Sequence, residues 1–347
     1  MGTKPMRVLV TGGAGYIGSV VAEELLQAGH RVVVFDNLSR GHRQAVPKNA
    51  ELVVGDLADR DCLDQLFRSR AIDAVMHFAA LIEAGESMKA PEEFFRNNTA
   101  NALTLLEATL AARVKRFIFS STAALFGNPE RTPIEEDDLV HPTNAYGESK
   151  LLVERMLGWF HQIHGLRYAS LRYFNAAGAS GPDNGEAHQP ETHLIPRILQ
   201  VALGRAEHVN IFGTDYPTPD GTCIRDYIHV SDLARAHLLA LAALALENGL
   251  ENSSPLIYNL GNGQGFSVRE VVEVVRKVTG HPVPVIESPR RAGDPAVLIA
   301  SSEKIRRALG WQPRFPDLEA IVESAWQWHR THPDGYRNLA DDSASLP

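Results

Sequence analysis

Tyr146 and Lys150 stand four residues apart, so on a helix both side chains share one face. The chemistry this spacing permits is proton transfer at a hydroxyl. A phenol with its pKa near ~10 is a poor base at neutral pH. An ammonium group one helical turn away favours the phenolate and brings that pKa down. Such a phenol can accept a proton from a hydroxyl while a hydride leaves the carbon bearing it. The pair recurs by chance in many chains, as an exposed tyrosine beside an exposed lysine. Position gives it weight here. It lies one strand–helix unit after Ser120-Ser121-Thr122, at the end of an apolar run. Parallel sheets place their ligands at that end of a strand.

A departing hydride needs an acceptor, and the first motif of the chain supplies a place for one. Gly12-Gly13-Ala14-Gly15-Tyr16-Ile17-Gly18 joins an apolar run to a helical pattern, the context that a dinucleotide-binding turn requires. Glycine lets the backbone turn tightly against a pyrophosphate, and the helix N-terminus offers N–H groups to it. Asp36 follows at the end of the second apolar run. A carboxylate there takes the ribose hydroxyls of NAD and repels the extra phosphate of NADP. Arg40 and Arg43 follow closely and leave a phosphate partner open. The balance favours NAD. A glycine turn with no ligand is the plain alternative.

These groups need a scaffold, and the patterning predicts one. Arg7–Thr11, Arg31–Phe35, Glu51–Val54, Ala74–Phe78, Arg116–Ser120 and Ala169–Tyr173 read as strands. Ser19–Gly29, Phe94–Ala112 and Ala145–His164 read as helices between them. Strands apolar throughout and alternating with helices predict a parallel sheet covered on both faces. The fold class is α/β: a Rossmann-type doubly wound parallel sheet with a smaller C-terminal substrate domain. The expected division is 1–175 for the dinucleotide, 176–330 for the substrate with some segments returning to the first sheet, and a loosely held tail over 331–347. From Asn175 to Asp226 the chain is rich in Gly, Pro, Asn and His. That stretch reads as loops shaping a pocket, without a second sheet, around one helix near Ile195–Leu203. Asp232–Glu247 and Val268–Val278 read as helices and Ile257–Leu260 as a strand.

Composition excludes other classes. The 347 residues carry a formal net charge of -8, unsuited to a nucleic-acid backbone, which needs clustered Lys and Arg. The two cysteines, Cys62 and Cys223, cannot form a disulfide framework and read as buried small hydrophobes. A reducing cytoplasm is the default. No secretory leader is visible, and residues 1–5 read as an extension before a possible start at Met6. No run approaches ~18 apolar residues, so no membrane span is expected. No metal-ligand set is singled out.

The G-x-x-G-x-x-G spacing of Gly12, Gly15 and Gly18, with Thr122, Tyr146 and Lys150 in order behind it, resembles the extended short-chain dehydrogenase/reductase family. The resemblance runs from about Met6 to Pro316. It implies a role for Thr122 in hydrogen-bonding the reacting oxygen. It implies cofactor contacts at Tyr16, Ile17, Asn37, Asp56, Leu57, Phe78, Ala79, Ala80 and Phe174, with Asn98 in support. His77–Leu81, Arg172–Gly178, Pro190–Pro196, Ile211–Thr218, Gly221–Val230 and Arg291–Asp294 are similar to the branch that epimerises UDP-sugars at C4. Carried over, Asn175, His193, Leu194, Asn210, Phe212, Arg225, Arg291 and Asp294 become candidates for the UDP-sugar. Guanidinium forks at Arg225 and Arg291 suit a diphosphate, and Phe212 suits a uracil ring.

The activity so implied is an internal redox cycle, with a 4-keto sugar turning over in the pocket and no net oxidation. Leu298 falls where that branch gates sugar size, and a residue smaller than tyrosine implies that N-acetylhexosamines also enter. Thr122 stands for a more usual serine, Phe126 for tyrosine and Ile82 for lysine. Another epimerase, a dehydratase or a decarboxylase of the family would share the cofactor site. Ala123-Ala124-Leu125-Phe126 after Thr122 lacks the carboxylates that elimination uses. A non-catalytic NAD-binding protein would be expected to lack Tyr146 or Lys150. The resemblance also implies a homodimer paired through Phe94–Ala112 and Ala145–His164.

Overall fold

The computed structural model describes residues 4–246, 254–291 and 293–336. In chain order the elements are β1 (Arg7–Thr11), α1 (Tyr16–Gln27), β2 (Arg31–Asp36), β3 (Glu51–Val54), α2 (Arg60–Ser69), β4 (Ala74–His77), α3 (Ala84–Ser87), α4 (Pro91–Phe94) and α5 (Asn101–Ala111). Then follow β5 (Arg116–Thr122), α6 (Ala145–His164), β6 (Arg167–Tyr173), β7 (Asn175–Ala177), α7 (Leu194–Ala202), β8 (Val209–Phe212), β9 (Ile224–His229) and α8 (Val230–Ala245). The last are β10 (Leu256–Leu260), β11 (Gly265–Ser267), α9 (Val268–Thr279), β12 (Val285–Ser288), β13 (Val297–Leu298), α10 (Glu303–Leu309) and α11 (Leu318–Thr331).

The main sheet has the order β10-β6-β5-β4-β1-β2-β3, and every neighbouring pair is parallel. Strands buried on both faces must be apolar at successive positions, and Val8, Leu9 and Val10 are fully buried. One face is covered by α1 and α8, which share a core with Val8 and Val10. The other is covered by α2, α5 and α6, packed on Leu9, Val33 and Phe119. Strand order reverses between β1 and β4, and a crevice opens there at the strands' carboxyl ends. Gly12, His77 and Thr122 all lie at that edge.

The structure corrects several expectations. The stretch 175–226 is not all loop: β9 pairs with β7, β11 and β13, and β8 pairs with β12. These strands are only two to six residues long. Short strands between prolines leave too few alternations for a period to show. The expected helix Phe94–Ala112 contains a π-helical turn at Phe95–Ala100. Helix α2 was not anticipated, although Asp59 caps it by accepting from the Cys62 N–H. Cys223 is buried but Cys62 is only half-buried.

The tail begins packed, since Tyr336 is buried against Trp328; residues from 337 onward lie outside the described residues, as do Glu247 of the expected helix and Ala292. Among the described residues no helix is long and apolar enough to cross a membrane.

Candidate active site

A single cavity of about 880 Å³ runs along the crevice, from Asp36 and Asp56 past Thr122 and Tyr146 to Arg225 and Leu298. At its first end the glycines act for different reasons. Gly12 has φ +72, and a Cβ there would lie 2.4 Å from the Ala79 backbone nitrogen. A Cβ on Gly18 would lie 2.2 Å from the Gly12 carbonyl oxygen. These contacts bring the β1 turn, the start of α1 and the Phe78–Ala80 segment together without side chains between them. Helix α1 starts at Gly15 with no side-chain cap, so its N-terminus offers N–H groups and partial positive charge to an anion.

Asp36 closes this end. Its carboxylate accepts N–H bonds from Ala14 at 3.0 Å and Leu38 at 2.9 Å. Burial pushes its pKa up, and the two backbone bonds oppose that. Asn37 donates to Asp56 at 2.7 Å, which orients that second carboxylate. Arg40 lines the same end of the cavity. It donates to the Gln189 carbonyl at 2.5 Å and pairs with Glu83 at 3.5 Å. Glycine cradle, bare helix terminus and buried carboxylate together fit a dinucleotide with free ribose hydroxyls.

Tyr16 lines this space, and its hydroxyl is fixed by donating to the Gly178 carbonyl at 2.6 Å. Phe78 packs against the buried His237 ring, centroids 4.9 Å apart. Asn98 lies behind the wall. It accepts from the Leu81 N–H at 2.8 Å and donates to the Leu81 carbonyl and the Ser149 hydroxyl. The π-helical turn presents this side chain, a common use of such a bulge. It fastens the strap after β4 to the helix that carries Tyr146 and Lys150.

Tyr146, Lys150 and Thr122 converge in mid-cavity. Asn144 caps α6 by accepting from Gly147 N–H at 2.8 Å, which sets the first turn, where Tyr146 sits. Lys150 is 2% exposed and its ammonium donates to the Ser120 carbonyl at 2.9 Å. Burial pushes its pKa down to about 7. Burial likewise pushes the Tyr146 phenol up, while the Thr122 hydroxyl beside it pulls the other way by hydrogen bonding, and Glu83 adds to the rise. The Tyr146–Lys150 spacing predicts a lowered phenol pKa. In the protein alone desolvation is the dominant influence on the phenol, and positive charge brought to the site would oppose it.

The far end mixes candidates that reach the cavity with others that do not. Asn175, His193, Arg225, Arg291, Asp294, Phe174 and Leu298 line it. Arg225 and Arg291 converge on Asp294, at 3.7 and 3.0 Å. Two guanidiniums on one carboxylate leave a net positive charge suited to an anion. Leu194, Asn210 and Phe212 lie off the wall. Leu194 packs into the core of the smaller sheets, and Asn210 is bonded to Ser288. The Arg291 guanidinium sits 4.8 Å from the centroid of the Phe212 ring, so that ring is covered by an arginine.

Sequence reasoning missed a buried network under the site. Glu154 accepts from Ser121 at 2.6 Å and from Arg172 Nε and Nη2 at 3.1 and 2.8 Å, while Arg172 Nη1 donates to the Glu136 carbonyl. The signal was present: Tyr146, Lys150 and Glu154 recur every four residues along α6.

Residues 8–261 match the model of the NAD dependent epimerase/dehydratase family. The chain belongs to this family. A UDP-glucose 4-epimerase of Halalkalibacterium halodurans is 54% identical over 332 residues, covering 95% of this chain and 98% of that protein. A crystal structure of UDP-glucose 4-epimerase from Bifidobacterium longum in complex with NAD+ and UDP matches with a TM-score of 0.90 at 36% identity, covering 95% of this chain and 100% of that one. The UDP-Glc/GlcNAc 4-epimerase of Campylobacter jejuni matches with a TM-score of 0.80 at 41% identity, covering 94% and 99%. As a member of the NAD dependent epimerase/dehydratase family, the chain uses NAD.

Proposed function

We propose that this chain interconverts UDP-glucose and UDP-galactose by inverting C4, with NAD held at the Gly12–Asp36 end of the cavity. The observation that carries the reading is one continuous cavity with Tyr146, Thr122 and Lys150 between a dinucleotide cradle and a doubly basic far end. NAD, when bound, would supply the hydride acceptor and donor for C4.

The chain does the rest. Tyr146 takes the C4 hydroxyl proton and returns it. Thr122 hydrogen-bonds the same oxygen. Lys150 contributes positive charge from one turn away, anchored by the Ser120 carbonyl. Arg225 and Arg291 hold the diphosphate, so the sugar can rotate while its nucleotide stays fixed. Ala123 and Ala124 follow Thr122 where an eliminating enzyme would need an acid and a base, which disfavours the dehydratase reading. Leu298 lines the sugar end and pairs in register with Arg225. Its size supports entry of N-acetylhexosamines.

Two further features belong to this reading. Leu103 on α5 and Trp159 and Ile163 on α6 are exposed and suit pairing of these helices with a second copy. The unpaired cysteines suit a reducing cytoplasm.

The test is to incubate the purified protein with UDP-galactose, with and without added NAD, and follow UDP-glucose by NMR. Conversion is expected; none in either arm overturns the assignment.

A further inference from the structure

Four side chains within eight residues face one another at the cavity rim. Glu186, His188, Glu191 and His193 each offer one ligand atom, and these atoms all lie within 4.8 Å of one another. The Glu186 carboxylate is 2.7 Å from His193 Nδ1 and 3.1 Å from His188 Nδ1. Glu191 is 3.3 Å from His193 Nδ1 and 3.8 Å from His188 Nδ1. A tetrahedral ion with ligands at about 2.0–2.1 Å has ligand–ligand edges of about 3.3 Å. Of the six edges of such a set, the four between imidazole and carboxylate measure 2.7 to 3.8 Å here, and all six lie within 4.8 Å.

A second observation is that both imidazoles share the same two carboxylates. His193 Nδ1 is shut off from solvent between Glu186 at 2.7 Å and Glu191 at 3.3 Å, and His188 Nδ1 faces the same two carboxylates. The set is also held in place. Glu191 accepts the backbone N–H groups of Thr192 and His193, both at 2.8 Å, and Glu186 is buried.

Two imidazoles and two carboxylates form a borderline donor set, suited to zinc and its neighbours; calcium and magnesium prefer oxygen alone. Two carboxylates also balance a dication once the imidazoles give up their protons in favour of it.

We propose that Glu186, His188, Glu191 and His193 bind one divalent transition-metal ion, with zinc the best match, and that the ion clamps the 186–193 loop to the start of α7. The clamp would fix one rim of the cavity independently of the reaction carried out inside it.

The test uses the untagged full-length protein, stripped with EDTA and then dialysed against zinc, with metal content measured by plasma mass spectrometry. A single equivalent per chain is expected, along with an unfolding temperature that rises with zinc. Cobalt in place of zinc should give the intense visible absorption of a four-coordinate site, a readout that needs no variant. His188→Ala and Glu186→Gln should each weaken zinc binding by roughly tenfold or more. Stoichiometry well below one, a pale six-coordinate cobalt spectrum, or zinc retained equally by both variants would overturn the proposal in favour of paired His–Glu ion pairs.

Discussion

The Lys150 ammonium donates to the Ser120 carbonyl oxygen at 2.9 Å, from a position that is 2% exposed. A single neutral acceptor does not replace the hydration of a buried cation. The site therefore holds Lys150 near the point of losing its proton.

That has a consequence for stability. The folded pKa is about 7 against an ordinary 10.5. Between these values the unfolded chain binds a proton that the folded chain does not. Stability from this group therefore rises as pH goes from about 7 to about 10.5, and is flat below that window. In the NAD-free protein Lys150→Met should raise the unfolding midpoint at pH 7 and flatten its rise toward pH 10. Activity should fall at least ~10²-fold, as expected for loss of a group that tunes a general base. Thermal melts across pH on both proteins decide this. A variant less stable than the parent at pH 7 contradicts it.

Tyr146→Phe keeps the ring and removes the proton carrier. Turnover of UDP-galactose should drop by roughly 10²–10⁴-fold, with NAD binding within a few-fold of the parent. A variant of near-normal rate would remove Tyr146 from the reaction.

Asp36 tests the cofactor end. Asp36→Asn replaces one oxygen by an N–H donor beside the backbone N–H groups of Ala14 and Leu38. NAD affinity measured by calorimetry should weaken by about tenfold or more, from loss of charge-assisted bonds. Discrimination against NADP should narrow. Unchanged NAD affinity would place the ribose elsewhere.

The buried Glu154–Arg172 pair predicts a purely structural loss. Glu154→Leu leaves the Arg172 guanidinium buried without its partner, at a cost of about 3–5 kcal/mol. Denaturant titration should show that loss. A change within about 0.5 kcal/mol would mean that the pair is not buried in solution.

The main sheet was readable because most of its strands carry an unbroken apolar run, such as Val8–Val10, Val32–Phe35 and Ala74–Met76, and Arg7–Thr11 and Glu51–Val54 fall where the pattern puts them. The smaller sheets were not, since strands such as Val297–Leu298 take their direction from a neighbour and carry no period of their own. Site residues at strand ends and helix starts were legible for the same reason: Asp36, Thr122 and Tyr146 are placed by regular elements. Phe212 shows the limit. Its ring is covered by Arg291, a contact between residues 79 positions apart that no local spacing encodes. The facing of Glu186, His188, Glu191 and His193 depends on the loop's path. Spacing alone brings none of them together.

Leu298→Tyr would narrow the sugar end. The kcat/KM for UDP-N-acetylglucosamine should fall about tenfold or more relative to UDP-glucose, in line with what added bulk in a pocket can discriminate. An unchanged ratio would remove Leu298 as the gate.

The central claim is that the hydride leaving C4 returns to C4 of the same sugar. Conversion of UDP-galactose carrying deuterium at C4, in ordinary water, tests this directly by NMR of the product. The account predicts UDP-glucose that keeps the deuterium at C4. Product with hydrogen from the solvent at that position would contradict it.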